Sequence, residues 1–503
     1  MRIAFTAVPV PPAPLSVIQQ DYYFYLFASR IEGVLGHLDE ADFLRFKYLE
    51  PVHLGLLALI AFLEKEGHEC SFFGPLGIND ETDCREEQLL KKILSRASEF
   101  DLIGFSPITA SYPAARRMAA AVREENPDVW LAIGGPHAWA RDQEILMNSD
   151  FDVVVRKEGE ATTSELLTVL EEGGSLDKVA GISYREGNRI IRNPDRPRLD
   201  RWDLPLPAYE HLEDNFAPGE LFPEKKIMIP IARVTPATGC LNDCIWCADF
   251  WKKDITWQNT SRFQEEVQLL REERGSRYFY LGTHDFFHDI PAALEVARVL
   301  GEMDGEIAWE AQTRVNPGVT RENLRELAKQ GCRCLHLGVE SGSQELLNTM
   351  GKNIKLEEAR KLCLMAREEG IHTHTYWIIG VPEESRDTAR ATIATMKQWL
   401  QAGISSSAEI NLLVGYPGTP FYENPSQYGV TWQSPNYSTY DGRSIPTFAT
   451  SKLTTRDLEY LFQLALDEYC SVMSLRMGSR EEVLKRLDRR FPSFNPAVME
   501  AAF

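Results

Sequence analysis

Gly239-Cys240-Leu241-Asn242-Asp243-Cys244-Ile245-Trp246-Cys247 is the stretch on which the reading of this chain turns. It follows an apolar run, Ile227–Val234, that reads as a strand, and it precedes a helical stretch at Phe263–Arg271. The cysteine spacing is C-x3-C-x2-C. Three thiolates on one tight loop suit three irons of a cubane cluster and leave the fourth iron without a protein ligand. An open iron can take the amine and carboxylate of a small molecule. A reduced cluster joined in this way to a sulfonium can deliver one electron into a C–S bond, leaving a carbon radical able to abstract hydrogen. Zinc would want a fourth ligand at short spacing, and the next histidine is His284. Chance clustering of buried cysteines is disfavoured by the tight grouping at a strand end. The spacing alone leaves iron–sulfur and other uses open.

Outward from this loop, strands and helices alternate. Tyr278–Leu281, Ile307–Gln312, Cys334–Val339, Thr373–Ile379 and Ala408–Val414 read as strands. Ile290–Met303, Arg321–Lys329, Lys355–Glu369 and Asp387–Gln401 read as helices between them. Six β/α units predict an open, partial barrel over residues 231–430, with chemistry at the carboxyl ends of its strands. A helical region is expected over 431–503, clearest at Leu458–Leu475.

Upstream, residues 1–184 alternate in the same way. Arg2–Val8, Glu69–Phe73, Asp101–Ser106, Val129–Ile133 and Phe151–Val155 read as strands, and His53–Glu66 and Pro113–Asn126 as helices. That order predicts a doubly wound, Rossmann-like parallel sheet with ligands outside the strand carboxyl ends. Residues 185–230 read as a linker, because Pro194, Pro197, Pro205 and Pro207 disfavour helix and central strand. Residues 9–50 form an aromatic-rich insertion with no legible role.

The whole chain of 503 residues is 44% hydrophobic and 25% charged, ordinary for a soluble globular protein, with a formal charge of -20 that argues against general nucleic-acid binding. The apolar run near Val52–Leu63 is too short to span a bilayer, and the prolines at 9, 11, 12 and 14 break any signal-peptide core. A cytoplasmic location is expected. Outside the triad, the other cysteines read as small buried hydrophobes, with a ligand pair at Cys332 and Cys334, two apart on one strand face, as the alternative.

The cysteine loop resembles that of the radical S-adenosylmethionine (SAM) superfamily, in which an aromatic residue precedes the third cysteine; Trp246 holds that place. Further segments resemble the same superfamily in order: Tyr280–Phe287, Trp309–Arg314, Leu337–Ser343 with Met350 and Lys352 after it, Ile379–Glu384, and Tyr416–Pro420. The resemblance implies a [4Fe–4S] cluster on Cys240, Cys244 and Cys247, with SAM at its open iron. It places Gly380 beside the adenine, Glu340 and Ser341 on the ribose hydroxyls or the methionyl amine, and Arg314 on the methionyl carboxylate. Asp285, in Tyr280–Phe287, joins the expected cofactor contacts. The alternative for Glu340 and Arg314 is a buried ion pair inside the barrel. His284, His336, His372 and His374 lie at strand ends or on strands, and the last two are expected on one face, toward substrate or core alike.

Residues about 50–170 resemble the cobalamin-binding domain that precedes the radical domain in one large subfamily. The matching pieces are Gly67-His68, Asp101–Ser106, Ile133–His137 and Glu158–Glu160. Ser106, Thr109, Gly134 and Gly135 are expected near the corrin and its tail. The Asp-x-His-x-x-Gly segment that supplies a lower cobalt ligand in many cobalamin domains is missing; neither His37 nor His53 has glycine three residues on. The resemblance therefore implies cobalamin without a histidine ligand from that loop, or a domain kept only as a scaffold.

The leading expectation is a cobalamin-dependent radical SAM enzyme that methylates an unactivated centre of a small molecule or natural product. A radical oxidation, cyclisation or rearrangement without methyl transfer is the alternative. A methylthiotransferase would need a second cysteine triad, and the N-terminal domain offers only Cys70 and Cys84. The expected partners are a small-molecule substrate and an electron donor such as flavodoxin or ferredoxin, with no membrane span.

Overall fold

In the computed structural model, residues 1–9, 16–34, 53–74, 85–199, 201–211, 231–248, 253–303, 307–433, 436–443 and 445–490 are described. The alternation of short apolar runs with helices produces two largely parallel sheets. The first contains β1 (Arg2–Thr6), β2 (Glu69–Phe73), β3 (Leu102–Phe105), β4 (Trp130–Ile133), β5 (Val153–Val155), β6 (Ile182–Glu186) and β7 (Arg189–Arg192), in the order β2-β1-β3-β4-β5-β6-β7. Strands β1 to β5 are parallel, and each has helices against both faces because side chains alternate along a strand. Ile3 and Phe5 share one core with Leu57, Ile60 and Leu166, while Ala4 and Ile103 share the other with Ile93 and Met118. The apolar run is the buried helix Leu54–Lys65, and among the described residues no helix is long and apolar enough to cross a membrane.

The hairpin β6–β7 adds an antiparallel edge that starts in the first region and runs into the stretch read from its prolines as linker. The prolines begin only at Pro194, after β7 ends, and Gly187 takes a left-handed φ of 58° in the turn. A short hairpin of mixed residues carries too little periodicity to announce itself.

The second sheet is parallel throughout, in the order β15-β14-β13-β12-β11-β8: β8 (Ile231–Val234), β11 (Tyr278–Leu281), β12 (Ala308–Thr313), β13 (Cys332–Glu340), β14 (His372–Ile379) and β15 (Ser407–Leu412). The run Ile227–Val234 is described only from Ile231. Two short strands, β9 (Ala237–Thr238) and β10 (Thr256–Trp257), pair antiparallel beside it. Cys332 and Cys334 do not share a strand face. The register slips between Trp309 and Glu310, so Cys332 stands opposite Trp309 and Cys334 opposite Glu310, two neighbours that point to opposite sides. Burial raises the Cys332 thiol far above its ordinary range.

The C-terminal region opens with a small antiparallel pair, β16 (Val430–Trp432) and β17 (Phe448–Thr450), before the helix Thr455–Met477. Part of the aromatic insertion is the helix Val17–Val34, which packs against Thr455–Met477 and β15. It gives the barrel's open edge a cover. The buried hydroxyl of Tyr22 accepts the Ile410 N–H at 2.9 Å, and the Gly442 carbonyl accepts the Leu412 N–H at 2.8 Å. Both are edge-strand donors that would otherwise lack a partner.

Candidate functional site

The cysteine loop is pinned at both ends. Thr238 and Thr256 pair across β9–β10, with their hydroxyls 3.1 Å apart. Gly239 sits at φ 89°, where a Cβ would lie 2.1 Å from the Asp254 carbonyl, so no larger residue fits this turn. Inside the loop, the Cys240 carbonyl accepts from Lys253 at 2.7 Å and the Cys244 carbonyl from Cys247 at 3.1 Å. The three thiols are unbonded to one another; Cys240 and Cys244 are buried and Cys247 is partly exposed. Asn242 donates to the Cys240 sulfur at 3.5 Å and Arg314 to the Cys244 sulfur at 3.4 Å. Three sulfurs on one loop with N–H donors aimed at two of them form a donor set that fits an iron–sulfur cluster.

All three cysteines open on a cavity of about 460 Å³ at the carboxyl ends of the second sheet. Arg314 and Glu340 both line it, and they do not pair with each other. Arg314 reaches Cys244 and the Lys352 carbonyl, while Glu340 receives the Lys352 ammonium at 2.6 Å. A register shift before Glu340 gives it φ 71°. A Cβ on Gly338 would lie 2.4 Å from the Glu340 carboxylate and 2.5 Å from the Lys352 ammonium, so the pair needs a glycine beneath it.

Three expected SAM contacts lie off this cavity. The Asp285 carboxylate accepts from the Arg314 N–H at 3.1 Å and the Thr313 hydroxyl at 3.2 Å, bracing the end of β12. The fully buried Ser341 hydroxyl sits 3.1 Å from that of Thr392 and accepts the Ser343 N–H. Gly380, at φ 98°, faces Leu458 of the C-terminal helix and donates to Glu384 at 2.6 Å. A strand-end motif marks these positions, but the side toward which each residue turns depends on bulges and on helices distant in sequence.

Of the histidines, His284 lines the cavity. His336 and His374 lie beneath it in a polar barrel interior. His336 contacts Glu310 at 3.0 Å and the Tyr376 hydroxyl at 3.1 Å; His374 contacts Ser407 at 2.7 Å and Glu409 at 3.6 Å. His372 meets Ser406 at 3.2 Å. Burial works against the Glu409 charge, yet the His374 bond and Arg443 outweigh it and hold the carboxyl at about 2. The sequence reading missed Tyr376, Asn411, Asp441 and Arg443, which also line the cavity. No motif marks them, since two lie on strands and two on a loop held by β15 and by a helix at the other end of the chain.

A second cavity, of about 210 Å³, opens at the carboxyl ends of the first sheet. Ser106, Gly134 and Gly135 line it, together with Gly104, Leu59 and Lys157. Gly135 takes φ 88°, and a Cβ there would lie 3.1 Å from the Ser106 hydroxyl. A cradle of bare backbone with apolar walls fits part of a large organic cofactor. Thr109 does not line this cavity; its hydroxyl is 3.3 Å from His137 Nδ1. The His137 ring stacks on Tyr112 at 4.4 Å, and burial pushes its pKa down to about 3. Among the described residues, no histidine lines this cavity.

One loop joins the two sheets' strand ends. A Cβ on Gly418 would lie 3.1 Å from Ala140 and 3.3 Å from Trp139 of the first domain, and Glu423 accepts from Arg141 at 2.7 Å. From the same loop, Phe421 donates to the Ile245 carbonyl of the cysteine loop at 3.0 Å.

Comparison with known proteins agrees with this geometry. Residues 234–396 match the radical SAM superfamily and residues 48–167 the B12 binding domain. The chain is 26% identical over 418 residues to an uncharacterized methyltransferase of Pyrococcus horikoshii, covering 81% of this chain and 86% of that protein. It is also 26% identical over 329 residues to the anaerobic magnesium-protoporphyrin IX monomethyl ester cyclase of Rubrivivax gelatinosus, covering 63% of this chain and 57% of that enzyme. The fold is similar to that of the radical SAM methyltransferase TsrM from Kitasatospora setae, with a TM-score of 0.60 at 16% identity over 88% of this chain and 81% of that one. The chain belongs to the radical SAM enzymes that carry a B12-binding domain, and its cofactors are a [4Fe–4S] cluster, SAM and cobalamin.

Proposed function

We propose that the chain is a cobalamin-dependent radical SAM methyltransferase acting on a small molecule. The observation that carries this reading is the loop Gly418–Phe421, which touches both the first domain and the cysteine loop, so that the two sets of strand ends serve one region. In this reading residues 1–184, extended by the hairpin to Arg192, serve cobalamin, and residues 231–430 serve SAM. Cys240, Cys244 and Cys247 hold the cluster. Arg314 and the Glu340–Lys352 pair receive the methionyl end of SAM, and Ser106, Gly134 and Gly135 border the cobalamin. When bound, these groups supply one-electron cleavage of SAM and a carrier for a methyl group.

The chain's own part is to bind, orient and exclude water. Arg314 is fixed by the Lys352 carbonyl and by Asp285 on its backbone, so its charge is held beside the thiolates at little entropic cost. Lys352 keeps Glu340 compensated in a buried setting. An electron-transfer protein such as flavodoxin or ferredoxin is the expected reductant; Leu241, half exposed on the cysteine loop, offers it a nearby apolar contact.

The match to a methyltransferase over most of both chains supports methyl transfer. The match to a cyclase supports the second reading, radical oxidation or cyclisation without methyl transfer. The test is reduction of the cofactor-loaded enzyme with SAM labelled in its methyl group. S-adenosylhomocysteine should form, and the label should travel with the corrinoid on gel filtration. Formation of 5′-deoxyadenosine without any S-adenosylhomocysteine would instead support the second reading.

A further inference from the structure

The cations of the main cavity are not equivalent. Arg314 is committed to the Cys244 sulfur and the Lys352 carbonyl, and Lys352 to Glu340. Arg443 stands on the wall formed beyond the edge strand β15. Its guanidinium pairs with Glu409 at 3.3 Å and lies over the Tyr23 ring at 5.6 Å. Its side chain nevertheless stays 50% accessible. The Glu409 carboxylate is shared, because His374 lies 3.6 Å from it and the Asn411 amide donates to it at 3.3 Å. A guanidinium carries five N–H donors in a rigid fork. Among the described residues, one of them makes a hydrogen bond to a side chain.

Three segments hold Arg443 in place. Asp441 accepts its backbone N–H at 2.8 Å, Gly442 is bonded to β15 through Leu412, and Gln19 of the N-terminal helix donates to the Arg443 carbonyl at 2.7 Å. A fork fixed before binding loses little freedom when a planar or tetrahedral oxyanion arrives.

We propose that Arg443 is the substrate's anion site: the substrate carries a carboxylate, phosphate or phosphonate that this guanidinium binds, and the rest of the molecule extends toward the cysteine loop. The proposal rests on the reading of this cavity as the place of reaction. It assigns a function to the N-terminal helix as well, since Gln19 and Tyr23 steady the anion-binding residue.

The test is calorimetric titration of the full, cofactor-loaded chain with phenylacetate, indole-3-acetate and phenylphosphonate, each beside its uncharged amide or ester. At least one acid should bind about tenfold more tightly than its neutral counterpart. R443Q should abolish that preference and leave SAM and cobalamin affinities unchanged. R443K, which keeps the charge without the fork, should retain part of it and guards against a misfolded R443Q. Equal binding of acids and neutral counterparts, no binding by any acid, or a preference that survives in R443Q overturns the proposal. Loss of SAM affinity in R443Q also overturns it, because the cation then belongs to SAM. The titration reads binding without turnover, so a failure of methyl transfer is seen in the labelled-SAM experiment and not here.

Discussion

The Arg314 guanidinium lies 3.4 Å from the Cys244 sulfur, across the joint between β12 and the cysteine loop. A positive donor at a cluster ligand stabilises the reduced, more negative cluster. Exchanging Cys240, Cys244 and Cys247 together for alanine should remove the brown colour and the expected complement of about four irons per chain. R314Q should keep the iron, and its cluster potential should fall by tens of millivolts in a titration without SAM. A triple variant that retains iron and sulfide, or an unchanged potential in R314Q, would count against the assignment.

Gly135 governs the other cavity. Its φ of 88° is strained for an L-residue, and a Cβ would press on Ser106 at 3.1 Å. G135V should cost about 1–3 kcal/mol of stability from the backbone alone and fill the cradle with its side chain. Cobalamin co-eluting with the protein on gel filtration should drop sharply relative to wild type. Reduced cobalamin in the wild-type protein should give an EPR spectrum without nitrogen splitting from a lower ligand, because no described histidine lines the cavity. Nitrogen splitting that disappears in H137A would reverse this, making His137 the ligand.

The periodicity of the sequence disclosed most of the scaffold, since buried parallel strands are short apolar runs between amphipathic helices. Glu69–Phe73, Tyr278–Leu281 and Arg321–Lys329 have the bounds expected of them. The cavity-facing set was less legible. Arg314 and Glu340 line the cavity, while Ser341 and Gly380 sit in the same kinds of motif and turn toward Thr392 and Leu458. Facing depends on the bulge before Glu340 and on a helix more than seventy residues downstream of Gly380, neither of which is local information. Arg443 was invisible for the same reason: contacts with Gln19 and Tyr23, at the other end of the chain, place it.

Tyr22 gives the N-terminal helix a measurable structural role. Its hydroxyl is the acceptor for the Ile410 N–H on the edge of β15, in a fully buried setting. Y22F keeps the ring and leaves that N–H unpaired, which should cost about 1–3 kcal/mol in urea denaturation. Burial, with Glu409 nearby, raises the Tyr22 hydroxyl far above its ordinary range, so the loss should be independent of pH between neutrality and mild alkali. A variant as stable as wild type would show that the helix is not what satisfies the β15 edge.

Glu384 supplies a pH dependence with a definite sign. One carboxyl oxygen accepts the Gly380 N–H at 2.6 Å; the other is buried and has no hydrogen-bond partner among the described residues. Burial pushes the carboxyl up to about 8, with the Gly380 and Val381 N–H groups only partly opposing it. A group whose folded pKa is raised binds its proton more tightly in the native state. Its favourable contribution is therefore complete below the unfolded value of about 4.3. It is lost as pH rises through about 8. The slope between those limits approaches at most about 1.4 kcal/mol per pH unit. E384Q retains an oxygen for the Gly380 N–H and carries no charge at any pH, so it lacks this contribution to the slope and keeps only that of the other groups. Urea midpoints for both proteins at several pH values between 5 and 9 should converge at the acid end and separate in favour of E384Q at the alkaline end. Parallel curves would show that Glu384 is ionised in the folded chain throughout.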